Sequence, residues 1–95
     1  MKLETSYALP VTIFREGEAF VAYTPALDLS SVGKTEEEAK KMFTEAVEAF
    51  FEDLSETKML GAVLLDLGWT KTDGNFMPPK VVKHSLMSFR IPELA

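Results

Sequence analysis

The stretch that decides the fold is GKTEEEAKKMFTEAVEAFFEDL, residues 33–54. It opens with a helix-start signal, because Thr35 is followed three residues later by Glu38, the arrangement of a capping box. Apolar residues then recur at intervals of three and four, which predicts a helix over about 36–55 with one buried face. These apolar residues are Ala39, Met42, Phe43, Ala46, Val47, Phe50, Phe51 and Leu54.

Three strands are predicted before this helix. Residues 7–14 place Tyr7, Leu9, Val11 and Ile13 on one face at the two-residue period of a strand. Residues 15–18 form a polar turn, and residues 19–25 are rich in aromatic and β-branched side chains. This pattern predicts a β-hairpin. Residues 29–32 predict a short third strand.

The segment after the long helix predicts further structure. Residues 59–69 fit a second, short helix closed by Gly68. Residues 70–80 contain turn signals and predict a loop, and residues 81–92 alternate as a strand does. The predicted order is β-β-β-α-α-β, an α+β fold in which one long helix covers a small, mostly antiparallel sheet.

Length and composition are those of one globular domain. The chain has 95 residues, of which 46% are hydrophobic and 26% are charged. We therefore expect a single domain over residues 1–95, with a core at about 5–57 and a C-terminal part at about 58–95.

Charge and residue types exclude several classes of function. The net charge of −5 makes the chain a poor candidate for binding nucleic-acid phosphates and a fair one for binding a basic protein. The absence of cysteine excludes disulfides and thiolate sites. The N-terminal residues lack the apolar core of a signal peptide, and no apolar run is long enough to span a bilayer, so we expect no membrane association and a cytoplasmic location.

Gly33-Lys34-Thr35 resembles the end of a phosphate-binding loop, but the remainder of that motif is missing. The motif requires a glycine five residues before Gly33, and this position is Asp28. Three glutamates also fill the helix N-terminus that would otherwise bind phosphate. We therefore expect no nucleotide cofactor, and we interpret Gly33, Thr35 and Glu38 as turn and cap residues.

No catalytic or metal-binding set is predicted. His84 is the only histidine, and it has no second ligand at a suitable spacing. Residues 36–56 carry eight acidic side chains against two lysines. Glu45, Glu48 and Glu52 among them fall on the solvent side of the predicted helix, which is either a solvated face or a docking surface for a basic partner.

Residues 20–54 resemble the HicB antitoxin family. Members have a strand ending near a Tyr-x-x-Pro sequence, an acidic loop, and a Gly-[Asp/Lys]-Thr-x-Glu-Glu-Ala sequence that opens a helix with a central Glu-Ala pair. The matching residues are Tyr23, Pro25, Asp28, Gly33, Lys34, Thr35, Glu37, Glu38, Ala39, Glu45 and Ala46. One residue separates Tyr23 from Pro25, where many members have two.

The resemblance implies a β-β-β-α-β core, a partial ribonuclease-H-like fold. It does not imply nuclease activity. Members bind HicA toxins, which are small basic RNA-cleaving proteins, and mask their active sites. The resemblance also implies a homodimer or homotetramer. Many members carry a C-terminal DNA-binding domain, but none is evident here, so we do not expect the chain to bind DNA by itself. The expected partner-binding residues are Tyr23, Pro25, Asp28, Glu45, Glu48 and Glu52.

Three alternatives stay open. The first is a homo-oligomeric structural or regulatory protein that has no toxin and binds an unknown ligand. The second is a ribonuclease-H-like hydrolase, which needs several carboxylates converging on strand ends. The predicted strands contain almost none, so we expect no enzymatic activity. The third is DNA binding by the C-terminal strand of an oligomer, through Lys80, Lys83 and Arg90.

Overall fold

The computed structural model describes residues 6–93 and contains two helices and two small sheets within that range. The strands and helices are β1 (Thr12–Glu16), β2 (Ala19–Thr24), β3 (Leu29–Gly33), α1 (Glu36–Glu56), α2 (Leu60–Asp66), β4 (Thr70–Thr72) and β5 (Asn75–Met77). The predicted α+β class and the covering of a small antiparallel sheet by one long helix are confirmed.

The larger sheet is antiparallel with the order β1-β2-β3. Gly17 and Glu18 connect β1 to β2, and Gly17 has a φ of 62°, which a glycine at the first position of a two-residue hairpin turn adopts readily. Ala22 is buried against Ala39 and Phe43 of α1. Because side chains alternate along a strand, Val21 and Tyr23 point to the opposite side. The sheet therefore has an inner face toward α1 and an outer face away from it.

The core consists of two adjoining clusters along α1. In the first, Ala39 and Phe43 lie one helical turn apart and pack against Ala22 of the central strand. In the second, Leu27, Leu64 and Trp69 bring together the β2–β3 turn, α2 and the residue that precedes β4. The 21-residue helix α1 contributes residues to both clusters, so it packs against the β1–β2–β3 sheet and against the part of the chain that contains α2, β4 and β5. Met42, which the helical pattern predicted to be buried, is exposed at the edge of the apolar face.

The predicted cap of α1 is confirmed. The hydroxyl of Thr35 accepts a hydrogen bond from the backbone N–H of Glu38 at 3.0 Å. The Glu38 carboxylate accepts one from the backbone N–H of Lys34 at 3.3 Å, so it reaches one residue further back than in the usual capping box. The Gly33-Lys34-Thr35 sequence therefore ends a strand and starts a helix.

Gly33 is required by a close approach of two backbones. A Cβ atom at this position would overlap the backbone nitrogen of Ala39 and would lie 2.8 Å from the carbonyl carbon of Glu38. The end of β3 can therefore touch the first turn of α1 only if residue 33 has no side chain.

Gly68 ends α2 as predicted, although the helix is shorter than the predicted range of 59–69. Gly68 has a φ of 95°. Its N–H donates to the carbonyl of Leu65 at 3.1 Å, and the N–H of Trp69 donates to the carbonyl of Leu64 at 3.0 Å. This pair of bonds is a Schellman motif, which satisfies the last carbonyls of the helix.

Other predicted boundaries need correction. The first strand begins at Thr12 rather than residue 7. Residues 70–80, predicted as a loop, contain the hairpin β4–β5, whose turn residues Asp73 and Gly74 have φ values of 51° and 79°. Positive φ at both turn positions is what an Asp-Gly hairpin turn needs, but its three-residue strands are too short to show an alternating pattern.

The predicted strand at 81–92 is wrong. These residues have no regular secondary structure and are all exposed. A strand needs a partner to accept its backbone hydrogen bonds, and the described part of this chain provides none for this segment. Between residues 6 and 93, neither helix has the combination of length and apolar character that crossing a membrane requires.

Candidate partner-binding site

The β2–β3 turn brings two of the predicted partner-binding residues together. The hydroxyl of Tyr23 donates a hydrogen bond to Oδ1 of Asp28 at 3.0 Å. Asp28 has a φ of 49°, a left-handed conformation that aspartate adopts more readily than most residues. Pro25 lies exposed in the same turn. The turn thus presents a tyrosine ring whose hydroxyl is held by a carboxylate.

The hydrogen bond also changes the chemistry of Tyr23. Donation to Asp28 stabilises the neutral hydroxyl and so raises the pKa of Tyr23 above its ordinary value of 10.0. Partial removal from water and the negative charge of Asp28 act in the same direction. Tyr23 is therefore a neutral hydrogen-bonding group at physiological pH.

The inner side of this turn is fixed by the core. The indole Nε1 of Trp69 donates to the carbonyl of Ala26 at 2.8 Å, and the Thr24 hydroxyl accepts from the N–H of Ala26 at 3.3 Å. Leu27, the next residue, is buried. Trp69 is only 2% exposed and packs with Leu27 and Leu64 at the end of α2, so its side chain is not available for contact with another protein.

The outer sheet face carries an uncovered apolar row. Phe14, Val21 and Val32 lie directly opposite one another on the three strands. Phe14 is 49% exposed and Val32 is 58% exposed, although both lie within strands of the sheet. Tyr23 lies beside this row on the same face, because it is two residues from Val21. We call Phe14, Val21 and Val32 the apolar row.

The acidic face of α1 consists of Glu45, Glu48 and Glu52. All three side chains are exposed, and their helical positions place them opposite the face formed by Ala39 and Phe43. No residue in the range 6–93 forms an ion pair with any of them. These carboxylates are therefore free to act on an approaching charge.

The structure does not bring the six predicted residues into one site. Tyr23 and Asp28 are hydrogen-bonded, and Pro25 lies between them in the chain. The acidic face points away from the sheet, whereas Tyr23 points away from the helix, so the two groups lie on opposite sides of a two-layer structure. The expected single docking surface is therefore two separate surfaces.

The predicted turn and cap residues occupy the N-terminus of α1 with contacts of their own. Gly33 contacts the first helical turn, and Thr35 and Glu38 bind backbone N–H groups there. Within residues 6–93 there is no group of three or more histidine, cysteine, aspartate or glutamate side chains arranged to hold a metal ion.

The apolar row was not predicted from the sequence. The signal was present, because TIFRE and AFVAYT have apolar residues in both alternating phases. A strand that is covered on one side alone needs apolar residues in one phase only. Phe14 and Val21 are the residues in the second phase.

Comparison with protein-family models, curated proteins and solved structures finds no match to this chain. The resemblance of residues 20–54 to the HicB antitoxins therefore stays a prediction from the sequence, as does the partial ribonuclease-H-like core that it implies.

Proposed function

We propose that the chain is a HicB-like antitoxin module that binds a small basic HicA-type ribonuclease and covers its active site. The observation that carries the proposal is the apolar row on the outer sheet face, because an uncovered apolar patch on a folded domain marks a surface for a partner. The sequence resemblance of residues 20–54 supplies the class of that partner. The proposal gives the chain a binding role and no catalysis.

The apolar row provides the central contact of this complex. Full burial of a phenylalanine or valine side chain stabilises by about 1.5–3 kcal/mol. Phe14 and Val32 retain about half of their accessible surface, so covering them would contribute part of that amount each. Tyr23 adds an aromatic side chain at the edge of the row, and tyrosine is enriched at binding hot spots.

The Tyr23–Asp28 hydrogen bond prepares this edge for binding. A side chain that is already held in one conformation loses less conformational entropy on complex formation. Ala26 accepts a hydrogen bond from Trp69 and donates one to Thr24, and these two bonds fix the turn that holds Asp28. We therefore assign Tyr23, Pro25 and Asp28 to the rim of the contact.

The acidic face of α1 has a different part in the proposal. It lies on the opposite side from the apolar row, so one small partner would not touch both. Its charge, within a chain of net charge −5, attracts a basic protein over long range and speeds association. In this role Glu45, Glu48 and Glu52 steer the partner without contacting it.

The test uses the product of the gene beside the gene for this chain, if that neighbour is a short basic open reading frame. The two purified proteins are mixed, and complex formation is measured by size-exclusion chromatography while RNA cleavage is measured in the same mixture. A joint elution peak and loss of RNA cleavage at equimolar chain are expected. Separate elution with undiminished cleavage would exclude the antitoxin role.

A second candidate is a homo-oligomeric structural or regulatory protein without a toxin. The observation that favours it is the set of large apolar side chains exposed between residues 81 and 91. Under this alternative the chain self-associates and binds no basic ribonuclease.

A toxin acting on cellular RNA implies a cytoplasmic location, which the first proposal therefore includes.

A further inference from the structure

The C-terminal arm, which we define as residues 80–92, extends away from the rest of the chain. Every residue of the arm is exposed, and Val82, Phe89 and Ile91 are 94%, 73% and 81% exposed. The radius of gyration is 16.3 Å and the longest dimension is 57 Å, whereas a compact domain of this size has a radius of about 12 Å. Large apolar side chains on an extended arm need a surface that covers them.

The β1 edge of the sheet offers such a surface. β1 is an edge strand, and α1 packs mainly over β2 and β3. An open groove of about 300 Å³ is left between β1 and α1, lined by Val11, Ile13, Lys40, Phe43 and Thr44. A further strand along β1 would pair with the backbone groups of β1 that face away from β2 and would place side chains in this groove.

We propose that the arm of one chain docks along β1 and into this groove of a second copy, so that two copies exchange arms. Met87, Phe89 and Ile91 alternate with polar residues, so an extended arm places all three on one side. That side faces the groove, and the backbone of the arm adds a fourth strand next to β1. This inference does not depend on whether a toxin is the other partner.

Charge supports the second copy as the occupant. Residues 6–79 carry thirteen acidic and six basic side chains, a net charge of −7, whereas the arm carries three basic and no acidic side chains. An acidic body therefore attracts the basic arm of another copy. Direct pairing of two arms would instead bring Lys80, Lys83 and Arg90 of both copies together, and like charges across a strand pair are destabilising.

Cross-linking between singly substituted chains tests the docking position. The chain has no cysteine, so Met87→Cys on the groove-facing side of the arm and Thr44→Cys at the groove each introduce one thiol. The two variants are mixed and treated with a short bis-maleimide. The proposal predicts a cross-linked dimer from the mixture, and little cross-linking when Glu48→Cys on the acidic face replaces Thr44→Cys.

Each other outcome overturns the proposal. Cross-linking of the Met87→Cys variant with itself, more than with Thr44→Cys, would mean that arms pair with arms. Equal cross-linking to Thr44→Cys and Glu48→Cys would mean that the arm has no defined docking site. Absence of any cross-linked dimer would mean that the arm does not bind a second copy.

Sedimentation equilibrium of the full chain gives an independent measurement. The wild-type chain is expected to dimerise, and Phe89→Ser is expected to raise the dimer dissociation constant roughly 10- to 100-fold, because it removes an apolar side chain that becomes buried. Leu65→Ser is the matched control, since Leu65 is an exposed apolar residue of α2 away from the arm and the groove. A monomeric wild-type chain, or equal effects of the two variants, would contradict the proposal.

Discussion

Gly33 sits where the end of β3 touches the first turn of α1, and its lack of a side chain permits that contact. Replacement by alanine would place a Cβ atom within 2.9 Å of the Cα of Ala39. Since the obstructing atoms are backbone, the strand and the helix must move apart. We expect Gly33→Ala to lower the free energy of unfolding by about 1–3 kcal/mol, measured by urea denaturation.

Gly61→Ala is the matched control for Gly33→Ala. It adds the same methyl group within α2, where the nearest atom is Cζ of the Phe76 side chain at 3.4 Å. Alanine favours a helix over glycine by about 0.5–1 kcal/mol, so unchanged or increased stability is expected. Equal losses of unfolding free energy in both variants would show that the close contact between Gly33 and α1 does not limit the size of residue 33.

The hydrogen bond from Tyr23 to Asp28 predicts a pH dependence at the residue scale. The pKa of Tyr23 is raised in the folded chain, so the bond contributes fully below the ordinary tyrosine value of 10.0 and is lost as pH rises through the raised value. Titration of tyrosinate absorbance, in a Tyr7→Phe background that leaves Tyr23 as the only tyrosine, measures this pKa. Asp28→Asn keeps an amide oxygen as an acceptor and removes the charge, so it should lower the pKa toward 10. The same pKa in both chains would contradict the assignment.

The start of α1 is the clearest prediction at the scale of secondary structure. Thr35→Ala removes the acceptor of the Glu38 N–H and is expected to lower the free energy of unfolding by about 1 kcal/mol. Thr44→Ala is the control, because Thr44 lies exposed within α1 and its hydroxyl donates only to the Lys40 carbonyl. Alanine is the better helix former there, so stability should stay equal or rise. Thermal or urea unfolding of both variants measures the two changes in stability. Equal changes in the two variants would argue against a stabilising cap at Thr35.

Local sequence signals predicted the elements that local physics determines. The helix α1 was predicted from its capping box and from the three- and four-residue spacing of its apolar residues, and the end of α2 was predicted from Gly68. These signals are local, because caps and amphipathic faces depend on neighbouring residues. The hairpin β4–β5 was missed because three-residue strands are too short to show a period. The strand predicted at 81–92 failed for a different reason. Alternation shows that a segment suits a sheet, but not that the chain supplies a partner.

The candidate site belongs to the scale of the whole molecule, and the sequence predicted it only in part. Tyr23 and Asp28 were predicted and do meet. The apolar row could not be predicted from spacing, because its members come from three strands whose register is fixed only in the folded sheet. The separation of Tyr23 from Glu48 likewise depends on which face of the sheet the helix covers.

The acidic face of α1 predicts an effect on association rate. Changing Glu45, Glu48 and Glu52 together to glutamine removes three negative charges that do not touch the proposed partner. The association rate constant with the basic ribonuclease should fall several-fold at low salt, while the dissociation rate constant stays nearly unchanged. At about 1 M salt, where the Debye length is about 3 Å, the difference should disappear. A salt-independent loss caused by faster dissociation would mean that these carboxylates contact the partner directly.

The central claim is that the outer sheet face binds the proposed basic ribonuclease. The most direct test changes this face and measures the dissociation constant of the complex by isothermal titration calorimetry. The comparison is between the wild-type chain, a Phe14→Ser and Val32→Ser double variant, and the control Leu65→Ser. Circular dichroism establishes that each variant is folded. If the apolar row is the centre of the contact, the double variant should bind at least about tenfold more weakly and the control as tightly as wild type. Unchanged affinity of a folded double variant would contradict the claim that this face binds the partner.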